Sequence, residues 1–268
     1  MITLPEIKHV IAIASGKGGV GKSTLAVNLA LALMLEEQKT GLLDADLYGP
    51  SIPLMLGISE KPPESENHLL PIEKYHLKTM SIGYFLSTDQ PAIWRGPMVS
   101  KYLQELCQST QWGKLDFLVI DLPPGTGDIQ LTLSQKIRTT GAVIITTPQD
   151  VALLDAKKAI KMFEKVNVPV LGVVENMSTH ICSQCGHEED IFGKNGADKL
   201  IDVFHTEILG KLPLDKSIRE NTDNGVPSVI SDPVSKISLL YREIAKKIIR
   251  KLEVREKIQT KIPGVQKI

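Results

Sequence analysis

Cysteine is scarce in this 268-residue chain, which has only three. Three cysteines make a poor disulfide framework, so the sequence excludes a small secreted fold held together by cross-links. We expect a reducing, cytoplasmic environment instead. In such an environment a Cys-x-x-Cys pair more often binds metal or carries out redox chemistry than staples a fold.

Long apolar runs are also missing. No run approaches the roughly 20 residues that a membrane-spanning helix needs. The N-terminal stretch "MITLPEIKHVIAIASG" lacks the charge and composition patterns of secretory and transit leaders. We therefore expect neither a membrane span nor a targeting leader.

Net charge is zero, with 31 Lys and Arg against 31 Asp and Glu, so the composition does not indicate a nucleic-acid binder. The charge is uneven, because ten of the basic residues and only three of the acidic ones lie from Pro233 onward. Apolar residues at helical spacing predict a basic helix from about residue 233: Ile237, Leu240, Tyr241, Ile244, Ile248 and Leu252. A helix packed on the body is the favoured interpretation, and a membrane-surface helix is the alternative.

Short apolar runs alternate with helical patterns along the chain. The predicted strands cover 9–15, 40–46, 79–85, 115–121, 142–148, 170–176 and 207–213, and the predicted helices 22–37, 97–109, 128–138, 151–166, 196–205 and about 233–256. Runs of Val, Ile and Leu without polar alternation are typical of parallel strands covered on both faces. The pattern predicts an α/β fold with a doubly wound, mostly parallel sheet flanked by helices. We expect residues 1–268 to form one domain with an insertion near 178–190.

The segment "GKGGVGKST" follows the first predicted strand and precedes a predicted helix. It fits the phosphate-loop spacing G-x-x-x-x-G-K-[ST]. Glycines let backbone N–H groups surround phosphates, Lys22 offers a positive charge, and the Ser23 hydroxyl can bind Mg²⁺. The expected nucleotide-binding residues are Gly16, Lys17, Gly18, Gly19, Val20, Gly21, Lys22, Ser23 and Thr24.

Two acidic segments end predicted strands, where ligands of open α/β sheets bind. "LLDAD" places Asp44 and Asp46 after the second strand, and "LVIDLPPGTGD" places Asp121 at the end of a later one. Asp121 is the expected carboxylate for the hydration shell of Mg²⁺. Gly125 allows the backbone to approach a γ-phosphate closely.

The segment "HICSQCGH" carries Cys182 and Cys185 between two histidines. Cys182, Cys185 and His187, with His180 as a further candidate, could complete a zinc site within one chain. The spacing alone favours zinc. A 4Fe–4S cluster usually takes four thiolates, so a cluster would need the pairs of two chains. A redox dithiol is the third possibility. Cys107 lies in a helical pattern, and we expect a small buried hydrophobe there.

Several segments together resemble the Mrp/ApbC family of iron–sulfur cluster carrier ATPases. In chain order they are "SGKGGVGKST", "DADLYGPSIPLMLG", "WRGPMVSKYLQ", "IDLPPGTGDIQLTLSQ", "TTPQDVALLDAKKA", "GVVENMS", "CSQCGHEEDIFG" and "LGKLPLDKSIREN". The resemblance covers about residues 9–231. It implies a homodimer that binds ATP and Mg²⁺ and holds an iron–sulfur cluster, of the 4Fe–4S type, on Cys182 and Cys185 of both copies.

The resemblance also implies catalytic roles for Lys17, Lys22, Asp46 and Asp121. Lys17 marks the deviant phosphate-loop ATPases, in which this lysine reaches the nucleotide of the partner copy; a solvent-facing lysine is the alternative. Asp46 would orient the attacking water, and the segment from Asp121 to Gly125 would report the γ-phosphate.

At the base end of the nucleotide, the resemblance implies that Asn176 meets the adenine edge. An amide can both donate and accept, which suits adenine. The loop from Pro213 to Asp215 would pack nearby. A turn role for Asn176 is the alternative.

These features predict a slowly hydrolysing ATPase that receives a cluster from scaffold proteins and transfers it to apo-iron–sulfur proteins. Two alternatives stay open: a spatial-organisation ATPase of the MinD/ParA kind, and a zinc-stabilised regulatory module that uses ATP for assembly. The first shares Lys17 and the phosphate loop but does not explain the cysteine pair.

Many relatives carry a small domain before the ATPase, whereas the first strand here is predicted within ten residues of Met1. We expect that domain's contribution to be absent or to come from another protein.

Overall fold

The computed structural model describes residues 2–63, 65, 68–85 and 96–261. Parts of the segment "WRGPMVSKYLQ" and of the basic tail lie outside these residues. The strands are β1 (Ile7–Ser15), β2 (Thr40–Asp44), β3 (Ile72–Lys74), β4 (Leu77–Ser81), β5 (Leu115–Asp121), β6 (Gly141–Thr146), β7 (Val170–Glu175), β8 (His180–Ile181), β9 (Glu188–Glu189) and β10 (Ile208–Lys211). The helices are α1 (Lys22–Leu35), α2 (Ile52–Met55), α3 (Gly96–Ser109), α4 (Asp128–Lys136), α5 (Asp150–Lys165), α6 (Asp198–Phe204), α7 (Lys216–Asp223), α8 (Ser228–Ser231) and α9 (Lys236–Lys261).

One large sheet organises the described part of the chain. Its eight strands lie in the order β10-β7-β6-β1-β5-β2-β4-β3, and every pair is parallel except β3–β4. The helices between consecutive parallel strands are the crossover connections that a parallel sheet requires. The predicted α/β class with a mostly parallel sheet is therefore confirmed, whereas the expected single domain over 1–268 stays a prediction.

The strand predicted at 79–85 ends earlier than expected. β4 stops at Ser81, and a single 3₁₀ turn follows over Ile82–Tyr84. Ser81 caps this turn, because its Oγ accepts a hydrogen bond of 2.9 Å from the Gly83 N–H. The apolar run continues through the turn, so hydrophobicity alone could not mark where the strand ends.

The register brings functional segments to one edge of the sheet. β5 lies between β1 and β2, and it pairs Asp121 with Ile13 on one side and with Asp44 on the other. Since parallel strands point the same way, the loops that follow β1, β2, β5 and β7 all leave from this edge. Ligands of open α/β sheets bind at this carboxyl edge.

The basic helix α9 packs on the body. Its buried apolar residues form one face: Tyr241, Ile244, Ala245, Ile248 and Leu252. Arg242 adds an ion pair of 2.8 Å with Glu36 at the end of α1. The favoured interpretation of this helix is confirmed. Within the described residues, no helix has both the length and the apolar composition needed to cross a membrane.

Candidate nucleotide site and cysteine hairpin

The phosphate loop connects β1 to α1. Gly21, directly before α1, has a φ of +88°, in the left-handed region that favours glycine. Asn176 donates from Nδ2 to the Val20 carbonyl at 2.9 Å, and a Cβ on Gly21 would overlap with the Asn176 amide. Backbone conformation and space therefore both require glycine at this position, and Asn176 helps to hold the loop.

The first half of the loop rests on α5. A Cβ on Gly16 would overlap with the backbone of Asp155, so this glycine permits the close approach of loop and helix. Lys17 follows in a half-buried position, and Gly18 and Gly19 are exposed. The loop is thus anchored on one side and open to ligand on the other.

Lys22 is surrounded by oxygen atoms. Its Nζ lies 2.7 Å from Asp121 Oδ1 and 3.4 Å from Asp46 Oδ2, and it donates to Ser23 Oγ at 3.3 Å. The lysine side chain is only 7% exposed. Three residues predicted from separate motifs therefore meet at one ammonium group.

Asp44 and Asp121 form a buried acidic pair across β2 and β5. Burial, and then the charge of Asp121, raise the pKa of Asp44 to about 7. Burial also raises the pKa of Asp121, against the opposing charge of Lys22. Asp44 accepts hydrogen bonds from Ser81 Oγ at 2.9 Å and from the Asp46 N–H at 3.1 Å. Asp44 thereby fixes the loop that carries Asp46.

The donor set fits a magnesium ion. In the described part of the chain, Asp121 Oδ2 is buried and has no hydrogen-bond partner. Buried carboxylate oxygens rarely stay unpaired, so this atom is available to a further ligand such as a metal-bound water. The Ser23 hydroxyl also lies within 3.3 Å of the Lys22 ammonium, and oxygen ligands are those that Mg²⁺ prefers.

A cavity of about 230 Å³ lies over the phosphate loop. It is lined by Ser15, Gly18, Gly19, Gly21, Lys22, Ser23, Thr24, Asp46, Met55 and Pro124. Gly125 lies beside it, with its N–H donating to the Ser15 carbonyl at 3.0 Å. The cavity combines backbone N–H groups, a cation and a hydroxyl, which is the chemistry of a phosphate site.

A second cavity of about 210 Å³ continues from the first. Gly21 and Thr24 line both. The remaining lining residues are Asn176, Met177, Pro213, Leu214, Asp215, Ile218, Arg219, Thr222, Asp223 and Tyr241. The structure therefore brings Asn176 and the loop from Pro213 to Asp215 together beside the phosphate loop, where the other end of a nucleotide would lie.

One wall of this second cavity was not predicted. Ile218, Arg219 and Thr222 belong to α7, and Tyr241 comes from α9. α7 is short and polar, and none of its residues is buried, so it lacks the apolar periodicity that identifies a helix. The local sequence feature that indicates the start of α7 is Asp215. Its side chain caps the helix by accepting a hydrogen bond of 2.7 Å from the Ser217 N–H.

The cysteine pair lies on a short exposed hairpin formed by β8 and β9. The Cys182 N–H donates to the His187 carbonyl at 2.9 Å, and the Gly186 N–H donates to the Cys182 carbonyl at 2.9 Å. Cys182 is half-buried, and Cys185 is exposed. Both thiols are free, and the turn holds them on one small loop.

The hairpin favours a thiolate at Cys182. Hydrogen bonds from the Cys185 N–H, and then from the Gln184 N–H, lower the pKa of the Cys182 thiol. Cys107, in contrast, is buried in the core, and burial raises the pKa of its thiol to about 12. Among the described residues, no three His, Cys, Asp or Glu side chains come together in a group that could hold a metal ion.

Known proteins similar to this chain include an iron–sulfur protein and a nucleotide-binding protein. An iron-sulfur cluster carrier protein of Escherichia coli (strain K12) is 58% identical over 248 residues, which are 92% of this chain and 67% of that protein. A nucleotide-binding protein of Archaeoglobus fulgidus, solved in complex with ADP, is 38% identical; the match covers 82% of this chain and 87% of that one, with a TM-score of 0.73.

The cell-division ATPase MinD of Pyrococcus furiosus superposes with a TM-score of 0.68 over 91% of this chain and 99% of its own. Its sequence is 24% identical, so this likeness shows the fold alone. A family profile described as NUBPL iron-transfer P-loop NTPase, within the ParA group, matches residues 6–249. The chain therefore belongs to the NUBPL iron-transfer P-loop NTPase family.

Proposed function

We propose that the protein is an ATP-dependent iron–sulfur cluster carrier, which binds a cluster between two copies of the chain and transfers it to apo-proteins. The observation that carries this proposal is the position of Cys182 and Cys185. Both thiols are free, and they lie on a hairpin that leaves the sheet directly after the wall of the nucleotide cavity. Membership of an iron-transfer family and the carrier name of the E. coli relative support it.

The cluster is the cargo. A 4Fe–4S cluster takes four thiolates, and Cys107 is buried away from the hairpin pair. One chain therefore supplies two ligands, and a two-fold homodimer supplies four. The lowered pKa of the Cys182 thiol supports this role, because the thiolate is the form that binds iron.

ATP and Mg²⁺ are the proposed cofactors. Lys22 would contact the β- and γ-phosphates, and Ser23 and Asp121 would hold the metal, with Asp121 acting through water. When bound, Mg²⁺ neutralises charge on the phosphates. Asp46 and Asp121 contact Lys22 in the structure. When the nucleotide binds, Lys22 would give up part of these contacts and contact the phosphates instead.

Hydrolysis is proposed to be slow and to depend on the dimer. Asp46 lines the phosphate cavity, where it would orient the attacking water. Lys17, half-buried at the start of the loop, is proposed to reach the nucleotide of the partner copy and to stabilise developing charge. Gly125, with a φ of +97°, would let the backbone approach the γ-phosphate.

The base would occupy the second cavity. Asn176 is proposed to meet the adenine edge, with Pro213 and Asp215 beside it. The recipients are proposed to be apo-iron–sulfur proteins, with scaffold proteins as donors and no nucleic acid as partner. A cytoplasmic setting stays a prediction, which the three free cysteines support.

Anaerobic reconstitution with iron and sulfide tests this function. We expect a chromophore that stays with a dimer and is lost in Cys182→Ala and in Cys185→Ala. Cys107→Ala is the matched control and should keep the chromophore. A purified protein that holds one zinc per chain and takes up no cluster would contradict the carrier function and favour the zinc-stabilised alternative.

A further inference from the structure

Two backbone segments join the second cavity to the cysteine hairpin. Residues 178–180 run beside residues 212–214, and we call this paired region the strap. The Ser178 N–H and Oγ both donate to the Leu212 carbonyl, at 2.9 and 3.0 Å. The strap therefore starts three residues after β7 ends at Glu175.

The strap continues to the first residue of the hairpin. The Leu214 N–H donates to the Thr179 carbonyl at 2.8 Å, and His180 pairs with Leu214 as an isolated bridge. The His180 side chain adds a contact, because its Nδ1 lies 3.2 Å from the Leu214 carbonyl oxygen. That carbonyl can only accept, so the ring donates in this contact.

The same residues form part of the cavity wall. Pro213 and Leu214 of the strap line the second cavity, and so do the residues next to the strap, which are Asn176 and Met177 before it and Asp215 after it. A base in that cavity would contact Leu214 or its neighbours on one face. On the other face, Leu214 contacts His180, which lies two residues before the first cysteine.

We propose that His180 is a positioning residue, which makes the placement of Cys182 and Cys185 depend on whether a nucleoside base occupies the second cavity. This inference rests on the proposed function, in which those thiols hold the cluster. A ligand can shift such an equilibrium only through contacts that differ between the two arrangements. Leu214, which lines the cavity and whose carbonyl contacts His180, is the residue through which that difference would reach the hairpin.

Coupling through Leu214 and His180 predicts that binding of the base, and not of the phosphates, changes how fast Cys182 and Cys185 react. The test uses the full chain, reduced and free of metal, and measures by mass spectrometry the rate at which iodoacetamide alkylates Cys182 and Cys185. We expect saturating ADP to change this rate at least about threefold, which one hydrogen bond can support. Inorganic triphosphate, which lacks a base, should leave the rate unchanged. Equal rates with and without ADP, or the same change with triphosphate, overturn the inference.

Variants at His180 sharpen the test. His180→Leu removes the donor, and the ADP effect should disappear. His180→Asn retains an N–H group within reach of the Leu214 carbonyl and should keep the effect. His187→Leu, at the exposed histidine on the other side of the cysteines, is the matched control and should also keep it. A full ADP effect in His180→Leu contradicts the role of His180. If that variant does not fold, the comparison of ADP with triphosphate in the unaltered protein still decides.

Failure of this inference is distinguishable from failure of the proposed function. Cluster reconstitution is run on the same preparation. A protein that takes up a cluster but shows no ADP effect on alkylation overturns the positioning role alone. A protein that takes up no cluster overturns the carrier function, whatever the alkylation rates show.

Discussion

The phosphate-loop region and the cysteine hairpin are built in opposite ways. Lys22 is 7% exposed and contacts two carboxylates, while the buried Asp44 has three donors around it. The hairpin has strands of two residues each, and Cys185 lies in the open. The first region contains nearly all the groups that its ligand needs. The second holds two of the four thiolates that a cluster needs.

This difference has an energetic basis. Buried charges must be compensated within the chain, so the phosphate site is held rigidly by its own ion pairs. An exposed hairpin with few contacts can open locally at little cost. A cargo that must leave again is better held by the second kind of structure. Four substitutions test the comparison.

The largest of the four expected effects is that of Lys22→Ala on ATP hydrolysis. The substitution removes the positive charge of the phosphate site, and we expect ATP hydrolysis to fall by about 100-fold or more. Phosphate release from ATP is the measurement, and Lys61→Ala, in an exposed loop, is the control. Unchanged turnover in Lys22→Ala would mean that the loop does not hold the reacting phosphates.

Gly21→Ala should destabilise the fold by about 2 kcal/mol. The alanine would adopt a positive φ, which costs about 1–2 kcal/mol, and would displace the Asn176 amide. Gly18→Ala lies in the same loop, has no positive φ and meets nothing within 4 Å. Its effect should stay within about 0.5 kcal/mol. Urea unfolding compares the two, and equal losses would refute the packing argument.

Asp44→Asn should change the pH dependence of stability. The pKa of Asp44 rises from 3.8 to about 7 on folding, so the folded protein binds the proton more tightly than the unfolded chain. The free energy of unfolding should therefore fall as pH rises from about 4 to about 7. In Asp44→Asn this fall should be smaller, because the amide does not titrate in this range. Urea unfolding across this range is the measurement, and Asp202→Asn, at an exposed position, should behave like the unaltered protein.

Gly186→Ala should have the smallest effect on stability. Gly186 also has a positive φ, +71°, but nothing lies within 4 Å of an added Cβ. The exposed hairpin can rearrange locally, so we expect a loss of about 0.5 kcal/mol, well below that of Gly21→Ala. Equal losses in the two variants would show that the hairpin is as firmly held as the phosphate loop.

The sequence predicted the sheet and the phosphate loop well because both depend on local patterns. Continuous apolar runs mark buried parallel strands, and the spacing of Gly16, Gly21 and Lys22 is short-range. The meeting of Asp46 and Asp121 at Lys22 also followed from strand ends that share one edge.

The second cavity was predicted less completely. Arg219 and Tyr241 approach Asn176 only through the packing of α7 and α9, which no local pattern encodes. The contact of His180 with Leu214 spans 34 residues, and a histidine beside a cysteine pair suggests a metal ligand before it suggests a backbone contact. Such contacts depend on tertiary structure.

The edges of the sheet restrict how two copies can associate. β10 and β3 are the outermost strands, of four and three residues, and both end in a lysine. Short charged edge strands are poor templates for another chain, which protects the protein against aggregation by sheet extension. In the proposed homodimer, the two copies would therefore meet away from these edges, at the carboxyl ends of the strands, where a symmetric pair would bring its nucleotides and its thiols together.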